Sequence, residues 1–224
     1  MKRQPIIHCI TNYVAMNFTA NAILAVGARP LMSFCPDEMD EIVAGSDALL
    51  VNIGCLDHQQ IEAMKLAVEA AARYGRPWVL DPVGAQFTKL RHDTCRQLIG
   101  INPPAIIKGN TSEIAALSGT IQGLDSVVVT TGPTDIIAHQ SRRAEVSLGD
   151  PIMTRVTAMG CAAGGILAAA AATASDPFEA AVNAMTLIGK AGQAAARHSK
   201  GTASFKNEFI DELYRQSTTI ISGH

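Results

Sequence analysis

The sequence predicts an α/β protein of three layers, a mostly parallel central sheet with helices on both faces. Three observations carry that expectation. Short apolar runs alternate with longer segments of helical periodicity. The short runs are apolar at successive positions rather than at alternate ones, as in strands buried on both faces. Glycine or Asp-Pro closes many of the segments, which is turn chemistry.

Ile6 to Ile10 reads as the first strand, and Asn17 to Val26 as a helix ended by Gly27. Pro30 to Ser33 is a second strand, followed by a short acidic helix over Asp37 to Val43. Ala48 to Ile53 is a third strand, and His58 to Tyr74 a helix with Gly75 as its C-cap. Trp78 to Leu80 stops at Asp81-Pro82, and a helix over Lys89 to Leu98 follows. Ala105 to Lys108 is a strand that stops at Gly109-Asn110, and Thr111 to Leu117 a short helix. Val127 to Thr130 is a strand, and Ile136 to His139 with Ala144 to Leu148 suggests a hairpin. From Gly160 on the pattern is helical: Cys161 to Thr173, Pro177 to Arg197 and Glu208 to Gln216.

The chain has 224 residues, of which 48% are apolar and 17% charged, so a single domain over 1–224 is expected and disorder is excluded. The formal net charge of -2 without a basic cluster, and 4% aromatics, argue against a nucleic-acid partner. No apolar run is long enough to cross a membrane, and the start Met1-Lys2-Arg3-Gln4-Pro5 leads into too short a run for a secretory signal. Five cysteines, an odd number without a CxxC pair, fit reduced thiols and a cytoplasmic protein.

In a parallel sheet the chemistry belongs outside the carboxyl ends of the strands. Four ends carry polar groups there: Thr11-Asn12, Asp81, Lys108 through Glu113, and Thr131-Gly132. Asp81 and Glu113 are hard oxygen donors suited to Mg²⁺, directly or through water. Lys108 is a point charge suited to phosphate, and Thr131-Gly132 lets backbone and hydroxyl approach a nucleotide. The loop Ala158-Met159-Gly160-Cys161 runs into a helix of small residues, whose first N–H groups and dipole form an anion site. The same field is expected to favour a thiolate at Cys161. Each feature has a plainer reading: Asp81 as a turn residue, Glu113 as the acid of a capping box with Asn110, Cys161 as a small apolar residue, His8 as a structural histidine. Neither GxxxxGK[ST] nor GxGxxG is present, so a P-loop and a dinucleotide fingerprint are excluded.

Several segments together resemble the hydroxyethylthiazole kinases: His8 to Val14, Asn17 to Asn21, Gly27 to Met32, Asn52-Ile53-Gly54, Leu80 to Gly84, Gly109 to Ile114, Asp150 to Thr157 and Gly201 to Phe205. The resemblance implies a ribokinase-like fold and phosphorylation of 4-methyl-5-(2-hydroxyethyl)thiazole by ATP with Mg²⁺, in thiamine salvage. It implies a homotrimer with active sites between subunits. Asn12, Met32 and Ala158 would then contact the thiazole alcohol, and Lys108, Thr131, Gly132, Met159 and Gly160 the ATP. Asp81 and Glu113 would serve the metal. Cys161 would be the catalytic residue, standing where related sugar kinases carry an aspartate base. Competing readings on the same fold are a kinase of another vitamin precursor, a nicotinamide-hydrate dehydratase and a catalytically impaired nucleotide-binding homologue. The sequence departs from the family in Ala158-Met159, where Gly-Thr is usual, and in having little room for a helix before the first strand. Only Thr120 to Ser126 stand where the family usually places a further helix, so either a segment is omitted or that edge of the sheet is truncated.

Overall fold

The computed structural model describes residues 3–217; Met1 and Lys2, read above as part of a basic start, lie outside them. Strands β1 (Ile6–Ile10), β2 (Arg29–Met32), β3 (Ala48–Asn52), β4 (Trp78–Asp81), β5 (Ile106–Asn110) and β6 (Val127–Thr131) are parallel to their neighbours. The hairpin β7 (Asp135–His139) and β8 (Arg142–Val146) adds antiparallel to β6. The order across the sheet is β2-β1-β3-β4-β5-β6-β7-β8.

Helices α1 (Met16–Ala25), α7 (Met159–Ala171), α8 (Pro177–His198) and α9 (Thr202–Gln216) pack one face, around Phe18, Ile23, Ile166, Leu167, Phe205 and Phe209. Helices α2 (Met39–Gly45), α3 (His58–Tyr74) and α4 (Lys89–Ile101) pack the other, around Met39, Met64, Val68, Trp78, Leu80 and Leu98. The central strands β3 and β4 between them are buried throughout, as their unbroken apolar runs required. Gly75 caps α3 as the sequence signalled, turning left-handed at φ 60°; at its start Asp57 accepts from the Gln60 N–H, and Asp176-Pro177 starts α8.

Small residues bring α7 in close. A Cβ on Gly165 would fall 2.9 Å from Thr19 Cγ2, and one on Gly164 would fall 3.0 Å from Leu50 Cδ1. The helix therefore lies against α1 and the centre of the sheet, with its N-terminus over the carboxyl ends of the strands. That end of the sheet has its switch point between β1 and β3, because β2 lies on one side of β1 and β3 on the other.

Three expectations change. The acidic segment forms a 3-10 turn, Pro36–Glu38, before α2. The last helix starts at Thr202 instead of Glu208, since the Ser204 hydroxyl accepts from the Gly201 N–H and Phe205 is buried against Phe209. The edge beyond β5 is not truncated: α5 (Thr111–Ala116) and α6 (Ser118–Ile121) make a short crossover, and Ile106 pairs with Val127 in the parallel β5–β6 ladder. No helix of the described residues is long and apolar enough to cross a membrane.

Candidate active site

Four strand ends and the first turn of α7 converge. Asn12 follows β1, Asn52 ends β3, Asp81 ends β4 and Lys108 lies in β5. Asn12 Nδ2 donates to Asn52 Oδ1 at 3.0 Å and faces Cys161 Sγ at 3.3 Å. Asn52 Nδ2 donates to Asp81 Oδ2 at 2.6 Å. Lys108 Nζ donates to Asp81 Oδ1 at 3.1 Å and to the Gly160 carbonyl at 2.9 Å. One polar chain thus runs from the Cys161 sulfur across four strands, β1, β3, β4 and β5, and back to the loop that carries Cys161. Asn12, Asn52, Asp81 and Lys108 are all buried.

The first backbone bond of α7 runs from the Ala162 N–H to the Ala158 carbonyl. The N–H groups of Met159, Gly160 and Cys161 therefore precede the ladder, and anions are favoured there. Ala158 holds this turn at φ 68° and ψ 5°, the left-handed region where glycine is at ease.

The expected thiolate at Cys161 is corrected by its surroundings. Burial, and next the Asp81 carboxylate, push the thiol above its ordinary range, against the opposing pull of Lys108, Asn12 and Asn52. Loss of water and a neighbouring negative charge both disfavour the charged form of a thiol. Burial also pushes the Asp81 carboxyl up, opposed by Lys108. At Lys108 burial works against the charge, and the Asp81 carboxylate overrides it and keeps the ammonium protonated.

Glu113 is a capping-box acid. Asn110 Oδ1 accepts from the Glu113 N–H at 3.0 Å, and Glu113 Oε2 accepts from the Asn110 N–H at 2.8 Å. Its other oxygen accepts from the Gly84 N–H at 2.9 Å, which joins the loop after β4 to α5. Both oxygens of Asp81 and both of Glu113 thus already hold internal donors. Among the described residues no three His, Cys, Asp or Glu side chains come together to hold a metal ion. This donor set does not fit a resident Mg²⁺ gripped directly by protein; it fits an ion that arrives on phosphates and keeps its waters.

A cavity of about 680 Å³ opens beside the α7 N-terminus and is lined by Thr131, Gly132, Ala158, Met159 and Gly160. It gathers four of the five residues expected to meet ATP, Lys108 reaching only its Gly160 wall. Ala158 lines this cavity. Thr131 Oγ1 donates to the Gly109 carbonyl at 3.3 Å, and the Gly132 N–H donates to Asp135 at 3.0 Å. Met32 is half-buried on the edge strand β2.

Sequence reasoning missed Asn52 as a site residue, although a polar end on an otherwise apolar strand was a visible signal. It also missed the apolar walls of the cavity, Leu148, Met153, Met185 and Ile188, which come from distant segments without a motif.

A family model described as the hydroxyethylthiazole kinase family matches residues 1–127 and 120–218. The match breaks at the short β5–β6 crossover. The chain is 38% identical over 242 aligned positions to a hydroxyethylthiazole kinase from Leptospira biflexa, covering 98% of this chain and 91% of that one. Its fold is similar to the structure of a hydroxyethylthiazole kinase protein from Pyrococcus horikoshii OT3, with a TM-score of 0.93 at 34% identity over 100% of this chain and 92% of that one. It also resembles a ribokinase-like superfamily protein from Enterococcus faecalis V583, with a TM-score of 0.75 at 15% identity over 97% of this chain and 88% of that one, a likeness of fold alone. With sequence and fold matched over nearly its whole length, the chain belongs to the hydroxyethylthiazole kinase family.

Proposed function

We propose that this chain transfers the γ-phosphoryl group of ATP to the hydroxyl of 4-methyl-5-(2-hydroxyethyl)thiazole, a step of thiamine salvage. The observation that carries the reading is the placement of the Cys161 sulfur at the start of α7, beside Asn12 and next to N–H groups that precede the helical ladder. In the transfer a bond forms between the substrate oxygen and the γ-phosphorus. The bond from that phosphorus to the β–γ bridging oxygen breaks, and ADP leaves. The hydroxyl proton goes to the Cys161 sulfur. A loose transition state releases that proton late, and the Cys161 sulfur accepts it in its ionised form. The N–H groups of Met159, Gly160 and Cys161 hold the charge of the transferring group in place.

ATP occupies the cavity beside Thr131, Gly132, Met159 and Gly160, its base against Leu148, Met153 and Ile188. Mg²⁺ comes with the phosphates and would meet Asp81 and Glu113 through water, where it would neutralise phosphate charge. Asn12 and Met32 contact the thiazole. Met32 lies on the edge strand β2, and Tyr13, edge-on to Phe34, and Val14 are 57% and 66% exposed. An apolar surface of this kind next to the site supports a homotrimer whose neighbouring subunit completes the thiazole pocket. A metabolic kinase with reduced cysteines is placed in the cytoplasm. ATP consumption with and without the thiazole alcohol tests the reading; consumption that does not depend on the alcohol overturns it.

A further inference from the structure

The orientations of two buried amides are fixed by groups that can play only one role. Asn52 Oδ1 accepts from the Gly54 backbone N–H at 3.0 Å, and its Nδ2 faces the Asp81 carboxylate. A backbone N–H only donates and a carboxylate only accepts, so the Asn52 amide has one orientation. Asn12 Oδ1 accepts from the Ala15 N–H at 3.0 Å, which leaves its Nδ2 toward Asn52 Oδ1 and the Cys161 sulfur. One hydrogen of that NH₂ group goes to Asn52, and the other is aimed at Cys161. The sulfur is held as an acceptor on this side.

The fit has no slack. A Cβ on Gly54 would lie 2.6 Å from Asn12 Nδ2 and 2.9 Å from Asn52 Oδ1, so only glycine lets the loop close over both amides. The loop is fastened from outside by Arg91, whose guanidinium donates to the Gly54 carbonyl at 2.9 Å, the Ile53 carbonyl at 2.7 Å and the Val83 carbonyl at 2.8 Å.

We propose that Asn52 is a positioning residue for phosphoryl transfer: locked between the Gly54 N–H and Asp81, it sets the Asn12 amide that holds the Cys161 sulfur at the reacting hydroxyl. This rests on the reading of Cys161 as the proton acceptor. Asn52 touches neither nucleotide nor thiazole in this arrangement and acts through Asn12. A displacement of about 1 Å at a reacting group costs on the order of a hundred-fold in rate. Loss of Asn52 is therefore read in kcat, with ATP binding left intact.

The test is a double-mutant cycle on the full chain, with kcat and both KM values measured for Asn52→Ala, Cys161→Ala and the pair. Asn52→Ala is expected to lower kcat about ten-fold to a hundred-fold with the KM for ATP unchanged. On the Cys161→Ala background the same change is expected to cost less than about two-fold, because the group it positions is gone. An equal loss on both backgrounds overturns the proposal, as does a rise in both KM values with kcat intact. Native turnover in Cys161→Ala alone overturns the proton-acceptor reading, a separate and distinguishable outcome. Should Asn52→Ala not fold, Gly54→Ala carries the cycle with the same expectation, because its methyl group displaces the Asn12 amide. In the native protein, the side-chain amide protons of Asn12 should exchange with deuterium far more slowly than those of exposed Asn17 and Asn21. Exchange of Asn12 as fast as those two also overturns the proposal.

Discussion

The Lys108 ammonium donates to the Gly160 carbonyl at 2.9 Å, so the central strand β5 is tied directly to the first turn of α7. The same ammonium holds Asp81, and through Asn52 and Asn12 the tie returns to Cys161 one residue further on. The first turn of α7 is thus braced by a buried ion pair instead of by turn geometry alone.

Lys108→Met should break that brace. Lys108 and Asp81 are both buried, so removing one partner leaves an uncompensated charge, worth about 3–5 kcal/mol of stability. Urea unfolding measures the loss, and the KM for ATP should rise with it. Lys108→Arg keeps the charge and should recover most of both. A Met variant as stable as the native chain would show that Asp81 takes a proton and needs no partner.

Ala158→Gly tests the turn itself. An L-residue in the left-handed region costs about 1–2 kcal/mol, and glycine returns about 0.5–1 kcal/mol of that as lost backbone entropy. The variant should be more stable by roughly 0.5–1 kcal/mol, with nucleotide affinity unchanged or better. Thermal unfolding with and without ATP checks both. A less stable variant would mean that the methyl group of Ala158 packs well enough to offset its strain.

The fold was legible because its signals are local. Buried runs such as Ala48 to Val51 announce a parallel strand, and Gly75 announces the end of a helix. The strand ends that carry Asn12, Asp81 and Lys108 followed from the topology. What stayed hidden depended on distance in sequence: Asn52 meets Asp81 and Asn12 only across neighbouring strands, and Met185 reaches the cavity from a helix a whole layer away. The direction of the Cys161 shift was also hidden, since the helix-start argument omitted the burial of the sulfur and, after it, the Asp81 charge. Glu113 showed that one acid can satisfy the plain reading as a cap and still sit within reach of the site.

His8 gives the folded chain a pH dependence of its own. Burial pulls its imidazole down from 6.5 to about 4, its Nε2 lies 3.0 Å from the Ser33 carbonyl, and its Nδ1 has no partner. Below pH 6.5 the unfolded chain takes up a proton that folded His8 refuses until about pH 4. Stability from this residue is therefore complete above pH 6.5 and falls as the pH drops through that window, by about 3 kcal/mol in all. His8→Leu loses the Ser33 contact but also loses this slope. Urea midpoints at neutral pH and through the acid range should converge for the two proteins as the pH falls. Parallel losses in both would assign the acid sensitivity elsewhere.

Replacing Cys161 decides whether the sulfur takes the substrate proton. A positioned base typically contributes about 10²–10⁴-fold, at the low end where the transition state is loose. Cys161→Ala should therefore lose most activity, and Cys161→Ser nearly as much, since a hydroxyl there is a far weaker acceptor. Cys161→Asp should keep or exceed the native rate. Its carboxylate suits the start of α7, with the Asn12 NH₂ group aimed at it and Lys108 nearby. The pH profiles should differ in a set direction. Burial and then Asp81 push the native thiol up, so its ionised fraction grows through the alkaline range and native turnover should climb there. The aspartate, ionised over that whole range, should give a flatter profile. ATP affinity should survive all three changes, because the anion site is backbone N–H. If Cys161 is only a small packed residue, alanine is tolerated best and aspartate worst. Steady-state turnover across pH, measured beside nucleotide affinity, separates the two orders, and an alanine variant at native turnover ends the base reading.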